Sequence, residues 1–189
     1  MSEGKQTVDA LSDLFPSIHQ NPNPSPSGGA AGAEVNPVSS APTFQREPLD
    51  DAAIQAMSPH LFDHWQETTI YPDIPLSPQF DLYRDAEQRG TFRFYTARLD
   101  GNLIGYFGLI LFRHLHHSTS LQAGADLIYI AKEHRGFGGR FIGWCRQQLK
   151  AEGVQVCSIS VKAHLDWSPL LVRAGFQLQE QVYSVRLDL

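Results

Sequence analysis

Cysteine and long apolar runs are scarce in this 189-residue chain, which has only two cysteines. Cys145 and Cys157 show no metal-ligand spacing, so we expect two reduced, buried thiols rather than a disulfide or a zinc site. No run approaches the roughly 18 apolar residues that span a membrane. The first residues, MSEGKQTVDALSDLF, lack the basic and apolar regions of a secretory signal. The sequence therefore predicts a soluble protein of a reducing compartment, the cytoplasm, with no membrane contact.

An excess of positive charge is also missing. The chain has 15 Lys and Arg against 20 Asp and Glu, a net charge of −5 and a pI near 5.9. Dedicated nucleic-acid binders usually carry a basic excess that neutralises phosphates. We therefore expect no nucleic-acid partner.

Residues 1–45 differ in composition from the rest of the chain. The stretch NPNPSPSGGAAGAEVNPVSSAP has almost no bulky apolar side chains, so burial cannot offset its ordering entropy. We predict a disordered tail over 1–45 and one folded domain over 46–189. Apolar residues follow helical spacing at 8–15, which predicts either a transient helix or a short segment that docks on a partner.

Helix and strand signals alternate through the domain. Serine–proline pairs at 58–59, 77–78 and 168–169 predict helix starts, and a further helix is predicted over 49–57. Asp100–Gly101 predicts a hairpin turn between two strands. Strands are predicted at 91–99, 103–112, 126–130, 154–161 and 176–187, with a polar loop at 114–124. The order predicts an α/β domain with a mixed sheet and flanking helices.

The stretch DLIYIAKEHRGFGGRFIGWCRQQL, residues 126–149, indicates a strand, a glycine-rich turn and an amphipathic helix. Backbone N–H groups at a helix N-terminus form a site for anions. Gly136, Gly138 and Gly139 would permit positive φ and close approach of a ligand. We interpret the turn as a site for the pyrophosphate of a nucleotide-like cofactor.

This strand, turn and helix, followed by a strand and a short helix ending in AGF, resemble the GNAT superfamily of acetyl-CoA-dependent N-acetyltransferases. The resemblance covers residues 50–189 and implies a twisted, mostly antiparallel GNAT-like sheet with acetyl-CoA as co-substrate and no metal. By that resemblance the strand would pair with pantetheine and the turn would hold pyrophosphate. The implied cofactor-binding residues are Leu127, Ile128, Tyr129, Ile130, Arg135, Gly136, Phe137, Gly138, Gly139, Arg140 and His164.

The turn departs from the GNAT pattern of Arg or Gln, two residues, Gly, one residue, then Gly or Ala. Counted from Arg135, Gly138 fits but Arg140 takes the last position; counted from Glu133, both glycines fit but the first position does not. The segments HWQE, IPLSPQFDLY and SPLLVRAGFQLQEQVY resemble the GNAT-like proteins encoded among tailed-bacteriophage structural genes. That narrower resemblance would place the protein in the host-cell cytoplasm or in the virion.

Three side chains are candidates for the general base that an amine acceptor requires. Asp126 matches the carboxylate that serves as base in some GNAT members, or is simply a strand-end residue. Glu67 would reach the same cleft, or is an exposed helix-end carboxylate, and His116 lies in the polar loop expected at the mouth of that cleft. The tyrosine that many members use as acid is replaced by Leu171; Tyr129 and Tyr183 are alternatives without positional support.

His114, His116 and His117 have a spacing that suits metal, but no second cluster of ligands accompanies them, and we predict no metal site. Two functions remain open. One is an N-acetyltransferase that moves acetyl from acetyl-CoA to an amine. The other is a phage virion-associated interaction protein, held by its tail to a phage structural protein, with weak or no catalysis.

Overall fold

The computed structural model describes residues 41–188, so the predicted docking segment at 8–15 lies outside the described residues. The strands are β1 (Thr43–Arg46), β2 (Phe92–Leu99), β3 (Asn102–His114), β4 (His117–Ile130) and β5 (Val156–Ser158). The helices are α1 (Asp51–Thr68), α2 (Phe80–Gln88), a 3₁₀ helix (Lys132–Phe137), α3 (Gly138–Ala151) and α4 (Ser168–Arg173).

One five-stranded sheet runs in the order β1-β2-β3-β4-β5, antiparallel except for the parallel pair β4 and β5. Alternate residues of its central strands face two separate cores, as the apolar run at 103–112 predicts. Phe94 and Tyr106 pack with α1 on one side, while Phe107 and Leu109 pack with Phe141 of α3 on the other. The predicted mixed α/β fold is confirmed.

β1 begins inside the stretch that the sequence analysis assigned to the tail. It pairs with β2 from Thr43 opposite Arg98 to Arg46 opposite Tyr95. Phe44 packs on the core, its ring centroid 5.3 Å from that of Phe141 and 6.3 Å from that of Trp144. One aromatic side chain thus anchors a strand whose flanking composition resembles a linker.

The prediction of two helices over 49–68 was wrong, because α1 is continuous through Pro59. Asp50 caps it, with its carboxylate accepting a bond of 2.9 Å from the Ala53 N–H. Ser58 caps nothing and instead donates to the Ile54 carbonyl oxygen at 2.9 Å. Met57 and Leu61, one turn apart on either side of the proline, are both buried, so packing carries the helix across it.

The other serine–proline pairs mark helix starts only approximately. α2 begins at Phe80, after a Gln79 cap without a side-chain bond, and α4 begins at Ser168 itself, so Ser168 is not its cap. Both helices end just before a glycine with positive φ, since Gly90 and Gly175 adopt φ of 73° and 85°. Asp100 and Gly101, at φ of 50° and 83°, form the predicted hairpin turn.

Two loop and strand predictions were wrong. The expected polar loop at 114–124 is the far end of the β3–β4 hairpin, where His114 pairs with His117. The expected closing strands at 176–187 are absent from the described residues, and β5 is shorter than predicted. The C-terminal segment, residues 176–188, exposes Leu178, Tyr183 and Leu187 to 81%, 87% and 91%. Among the described helices, none combines the length and hydropathy needed to span a bilayer.

Candidate functional site

The central feature of the candidate site is a divergence between β4 and β5. β5 pairs with β4 only from Gln122 to Gly124, although β4 continues to Ile130. In the described part of the chain, no strand therefore covers this side of β4 over residues 125–130. The Ile130 carbonyl oxygen accepts from Arg135 Nε at 3.4 Å, and the other backbone groups that point away from β3 have no strand partner here. They can bond an extended ligand, as a sheet edge binds an added strand. Leu127, Ile128, Tyr129 and Ile130, the residues expected to hold pantetheine, lie in this stretch.

Asp126 lies at the start of that free stretch and lines a groove of about 400 Å³. The groove runs between the end of α1, the loop 69–79, α2 and β4. The Tyr83 hydroxyl donates to Asp126 Oδ2 at 2.5 Å and holds the carboxylate in place. Burial, together with this bond to Asp126, raises the pKa of Tyr83, so the phenol keeps its proton.

His64, on the last turns of α1, forms part of the groove wall. Its Nδ1 lies 3.0 Å from the Tyr106 hydroxyl, and its ring centroid lies 5.3 Å from that of Tyr129, with the two rings tilted by 33°. Burial lowers the pKa of His64 to about 4, with Lys162 also lowering it and Glu67 opposing. The imidazole is therefore neutral at pH 7 and contributes no positive charge to the groove.

Glu67 lies on the same helix but not in the groove wall. Arg135 Nη2 donates to both of its carboxylate oxygens, at 2.7 and 2.6 Å, and Lys132 Nζ lies 3.3 Å away. Burial pushes the pKa of Glu67 up, but these two cations outweigh burial and hold the pKa below its usual value. Glu67 thus tethers the 3₁₀ helix to α1, and this tether occupies the charge of Arg135 that was predicted to serve phosphate.

His164 also contacts the end of α1. Its Nε2 lies 2.9 Å from the Glu67 carbonyl oxygen. The segment that follows β5 is therefore tied to the helix that borders the free stretch of β4. Its prediction as a cofactor contact stays a prediction.

The glycine turn is more regular than predicted. Residues 132–137 form the 3₁₀ helix, and α3 follows at once from Gly138. Gly136, Gly138 and Gly139 do not adopt positive φ, so the turn does not use the freedom that glycine allows. Their lack of side chains still leaves space, because a Cβ on Gly136 would meet nothing within 4 Å. Arg140 lies over the Phe137 ring at 5.9 Å, beside the N-terminus of α3.

The structure separates His116 from Asp126 and Glu67. His116 lies at the tip of the β3–β4 hairpin, where its neighbours His114 and His117 stack with ring centroids 4.9 Å apart. At about 3.3 Å per strand residue, Asp126 is roughly 30 Å along β4 from this tip. His116 could share a cleft with Asp126 only if residues 114–124 formed a compact loop. These residues instead belong to the long β3–β4 hairpin, which carries His116 away from Asp126.

The sequence analysis did not find Tyr83 or His64. Tyr83 contacts Asp126 across 43 positions and His64 contacts Tyr106 across 42, so neither pair leaves a local pattern. Leu171, at the position where the resemblance implies an acid, is buried. The fold brings two phenols to the groove, Tyr71 and Tyr83, and the Tyr83 hydroxyl is the one bonded to Asp126.

This arrangement of sheet, divergent strand and helix is the GNAT acetyltransferase fold. A soil metagenomic aminoglycoside acetyltransferase, HMB0005, superposes with a TM-score of 0.60 at 13% identity, over 79% of this chain and 99% of its own. A Bacillus halodurans protein described as a transcriptional regulator superposes with a TM-score of 0.63 at 12% identity, over 78% and 100%. A predicted acetyltransferase from Clostridium acetobutylicum, solved with acetyl-CoA, gives 0.55 at 11%, over 78% and 97%.

No protein-family model matches the chain, and no curated protein sequence is significantly similar to it. At these identities the structural similarity defines the fold alone, and the same fold serves different functions. The features that bear on function are therefore the free stretch of β4 and the groove beside it.

Proposed function

We propose that the protein is an acyltransferase that moves an acetyl group from acetyl-CoA to an amine. The observation that carries this proposal is the juxtaposition of the uncovered backbone of β4, residues 125–130, with the Asp126 carboxylate at its beginning. A thioester carried on an arm along the strand would end close to a group that accepts a proton. Both parts of an acetyl transfer then lie at one place.

The reaction uses Asp126 as general base, directly or through one water. The acceptor amine gives a proton to the carboxylate, and its nitrogen attacks the thioester carbonyl carbon. The tetrahedral intermediate collapses as the carbon–sulfur bond breaks, and the acetyl group remains on nitrogen while coenzyme A leaves as the thiolate. Tyr83, bonded to Asp126 Oδ2, orients the carboxylate throughout.

The residues beyond the strand fit a phosphorylated ligand in part. The N-terminus of α3 begins with two glycines, so its N–H groups are not covered by side chains. Arg140 lies beside them and is exposed. Arg135 is already bonded to Glu67, so it could attract the phosphates only while it also pairs with that carboxylate.

Calorimetric titration with acetyl-CoA, followed by detection of free thiol in the presence of amines, tests the proposal. We expect Gly138→Trp to abolish acetyl-CoA binding, because its side chain would fill the space at the start of α3. Gly143→Trp is the matched control on the same helix, since a Cβ at Gly143 meets nothing within 4 Å and one at Gly138 would meet only Leu170 Cδ2, at 4.0 Å. Absence of acetyl-CoA binding by the folded wild-type protein would contradict the proposal.

A second candidate function is the phage interaction protein with a GNAT fold and weak or no catalysis. Leu171 in place of the expected tyrosine and the glycine turn with one position out of the pattern, both departures from the resemblance, favour it. It predicts that residues 1–40 are required for co-purification with a phage particle while acetyl-CoA is not bound. Its cellular setting is the host-cell cytoplasm or the virion, whereas the acetyltransferase proposal requires only the cytoplasm.

A further inference from the structure

The walls of the groove beside β4 are mainly apolar, with hydroxyls from Thr68, Thr69, Tyr71 and Ser77 among them. Trp65 of α1, Ile74 and Leu76 of the loop, Phe80 of α2 and Leu127 of β4 all line it. Its volume of about 400 Å³ falls in the range of small-molecule sites, roughly 300–1,000 Å³. Burying apolar area against such walls is favourable by about 25 cal/mol per Å². The walls therefore favour an apolar body.

Charge enters the groove at one position. Among the described residues that line it, Asp126 is the single acidic or basic side chain, and the wall histidine, His64, is neutral. The Tyr83 bond uses one of about four acceptor sites of the carboxylate. The remaining sites are available to one ammonium or amine group. The charged cluster of Glu67, Arg135 and Lys132 is paired within itself and does not line the groove.

A ligand with several cations fits these walls poorly. Each additional ammonium would meet hydroxyls or apolar side chains but no second carboxylate among the described lining residues, and burying an unpaired charge is costly. A ligand with one amine meets its only counterion at Asp126. The groove therefore selects ligands that carry a single positive charge as well as an apolar body.

We propose that the groove binds primary amines carried on a single apolar body, such as arylalkylamines, with the nitrogen at Asp126 and the apolar part against Trp65, Ile74 and Phe80. As the acceptor class for acetyl transfer, this inference rests on the proposed function. Binding of the amine itself does not require acetyl-CoA.

The first test is direct binding to the full-length protein without acetyl-CoA, using 2-phenylethylamine, 2-phenylethanol and spermidine. We expect 2-phenylethylamine to bind at least tenfold more tightly than either of the others, about 1.4 kcal/mol. Asp126→Asn, which keeps the shape, should lose that preference for the amine. Equal or tighter binding of spermidine, or no binding of 2-phenylethylamine at about 10 mM, a concentration well above a 1 mM Kd, overturns the inference.

The apolar wall has its own matched variants. Ile74 and Leu115 are both exposed, at 47% and 96%, so replacing either with serine leaves the core intact. Ile74→Ser should weaken the binding of 2-phenylethylamine several-fold, while Leu115→Ser at the hairpin tip should leave that affinity unchanged. Equal effects of the two substitutions would contradict the assigned wall.

Thiol release with acetyl-CoA then separates this inference from the proposed function. Amine binding without acetyl-CoA binding supports the amine site in the groove and contradicts the proposed acetyl transfer. Acetyl transfer confined to polyamines or aminoglycosides supports the transferase and overturns the acceptor class. Transfer to 2-phenylethylamine, lost in Asp126→Asn, supports both.

Discussion

Burial decides the protonation state of several side chains, both in the groove wall and in the core. His64 is held neutral, Tyr83 keeps its proton beside Asp126, and Cys145 is buried with its pKa raised for the same reason. Burial also raises the pKa of Cys157, to about 11, so Cys157 is likewise a thiol at neutral pH. The pKa of Glu67, which is bonded to the opposite charges of Arg135 and Lys132, is instead lowered. The groove consequently contains one charged group rather than several.

His64 predicts a specific pH dependence of stability. Its pKa is about 4 in the folded protein against 6.5 for the unfolded chain, so only the unfolded chain gains a proton as pH falls from 6.5 to 4. The contribution of His64 is therefore complete above pH 6.5, is lost through this window and changes no further below pH 4. We expect a loss of about 3 kcal/mol between pH 7 and 4. Urea unfolding over that range, compared with His64→Gln, measures it.

His117→Gln, at the exposed hairpin tip, is the control for that measurement. It should follow the wild-type pH profile, because carboxylates elsewhere titrate equally in both proteins. Parallel profiles for wild type and His64→Gln would show that His64 is not kept neutral by folding.

At the scale of elements, the central strands approach closely where glycine occurs. A Cβ on Gly105 of β3 would lie 2.8 Å from the Tyr129 carbonyl oxygen and 3.3 Å from the Ile130 Cα. Both are backbone atoms of β4, so neither can rotate away. Gly105 therefore fixes the position of the strand whose other side is proposed to hold pantetheine.

Gly105→Ala should lower the free energy of unfolding by about 1–3 kcal/mol, as other overpacked cores do. It should also weaken acetyl-CoA binding, because β4 must shift at Tyr129 and Ile130. Gly143→Ala, in the open on α3, should instead raise the unfolding free energy by about 0.5–1 kcal/mol through helix propensity. Chemical denaturation measures both free energies of unfolding. A value for Gly105→Ala equal to that of the wild type would contradict the close approach of the two strands.

Local signals predicted those elements that local chemistry specifies. Asp100–Gly101 turns where expected because both residues tolerate positive φ, and Gly90 and Gly175 end helices for that reason. The serine at 58 failed as a helix start because Met57 and Leu61 pack on one core across it. The glycines at 136, 138 and 139 proved helical, because glycine permits positive φ without requiring it.

At the scale of the whole molecule, the C-terminal segment is joined to the groove. Arg186 bonds Asp73 at 2.9 Å and lies over the Tyr71 ring at 5.3 Å, and the Ser184 hydroxyl lies 3.1 Å from that of Tyr71. Tyr71 belongs to the loop that lines the groove. The exposed segment 176–188 thus rests on a wall of the candidate acceptor site.

Arg186→Ala should release this segment from the loop. We expect faster amide hydrogen exchange in both 176–188 and 69–79, with the unfolding midpoint unchanged, because exposed ion pairs add little to global stability. Exchange mass spectrometry of the whole chain measures this. Arg113→Ala, near the opposite end of the sheet, is the control, and faster exchange confined to the C-terminal segment would show that the loop does not depend on it.

The sequence by itself determined the mixed α/β fold, the central hairpin and the amphipathic α3, because periodicity and turn chemistry are properties of neighbouring residues. It also singled out Asp126 as a candidate base. Only the tertiary structure decided that Tyr83 orients Asp126, that Glu67 is bound by Arg135 and that His116 lies far from both. These relations join positions tens of residues apart, and they depend on how the strands and helices pack rather than on any local pattern.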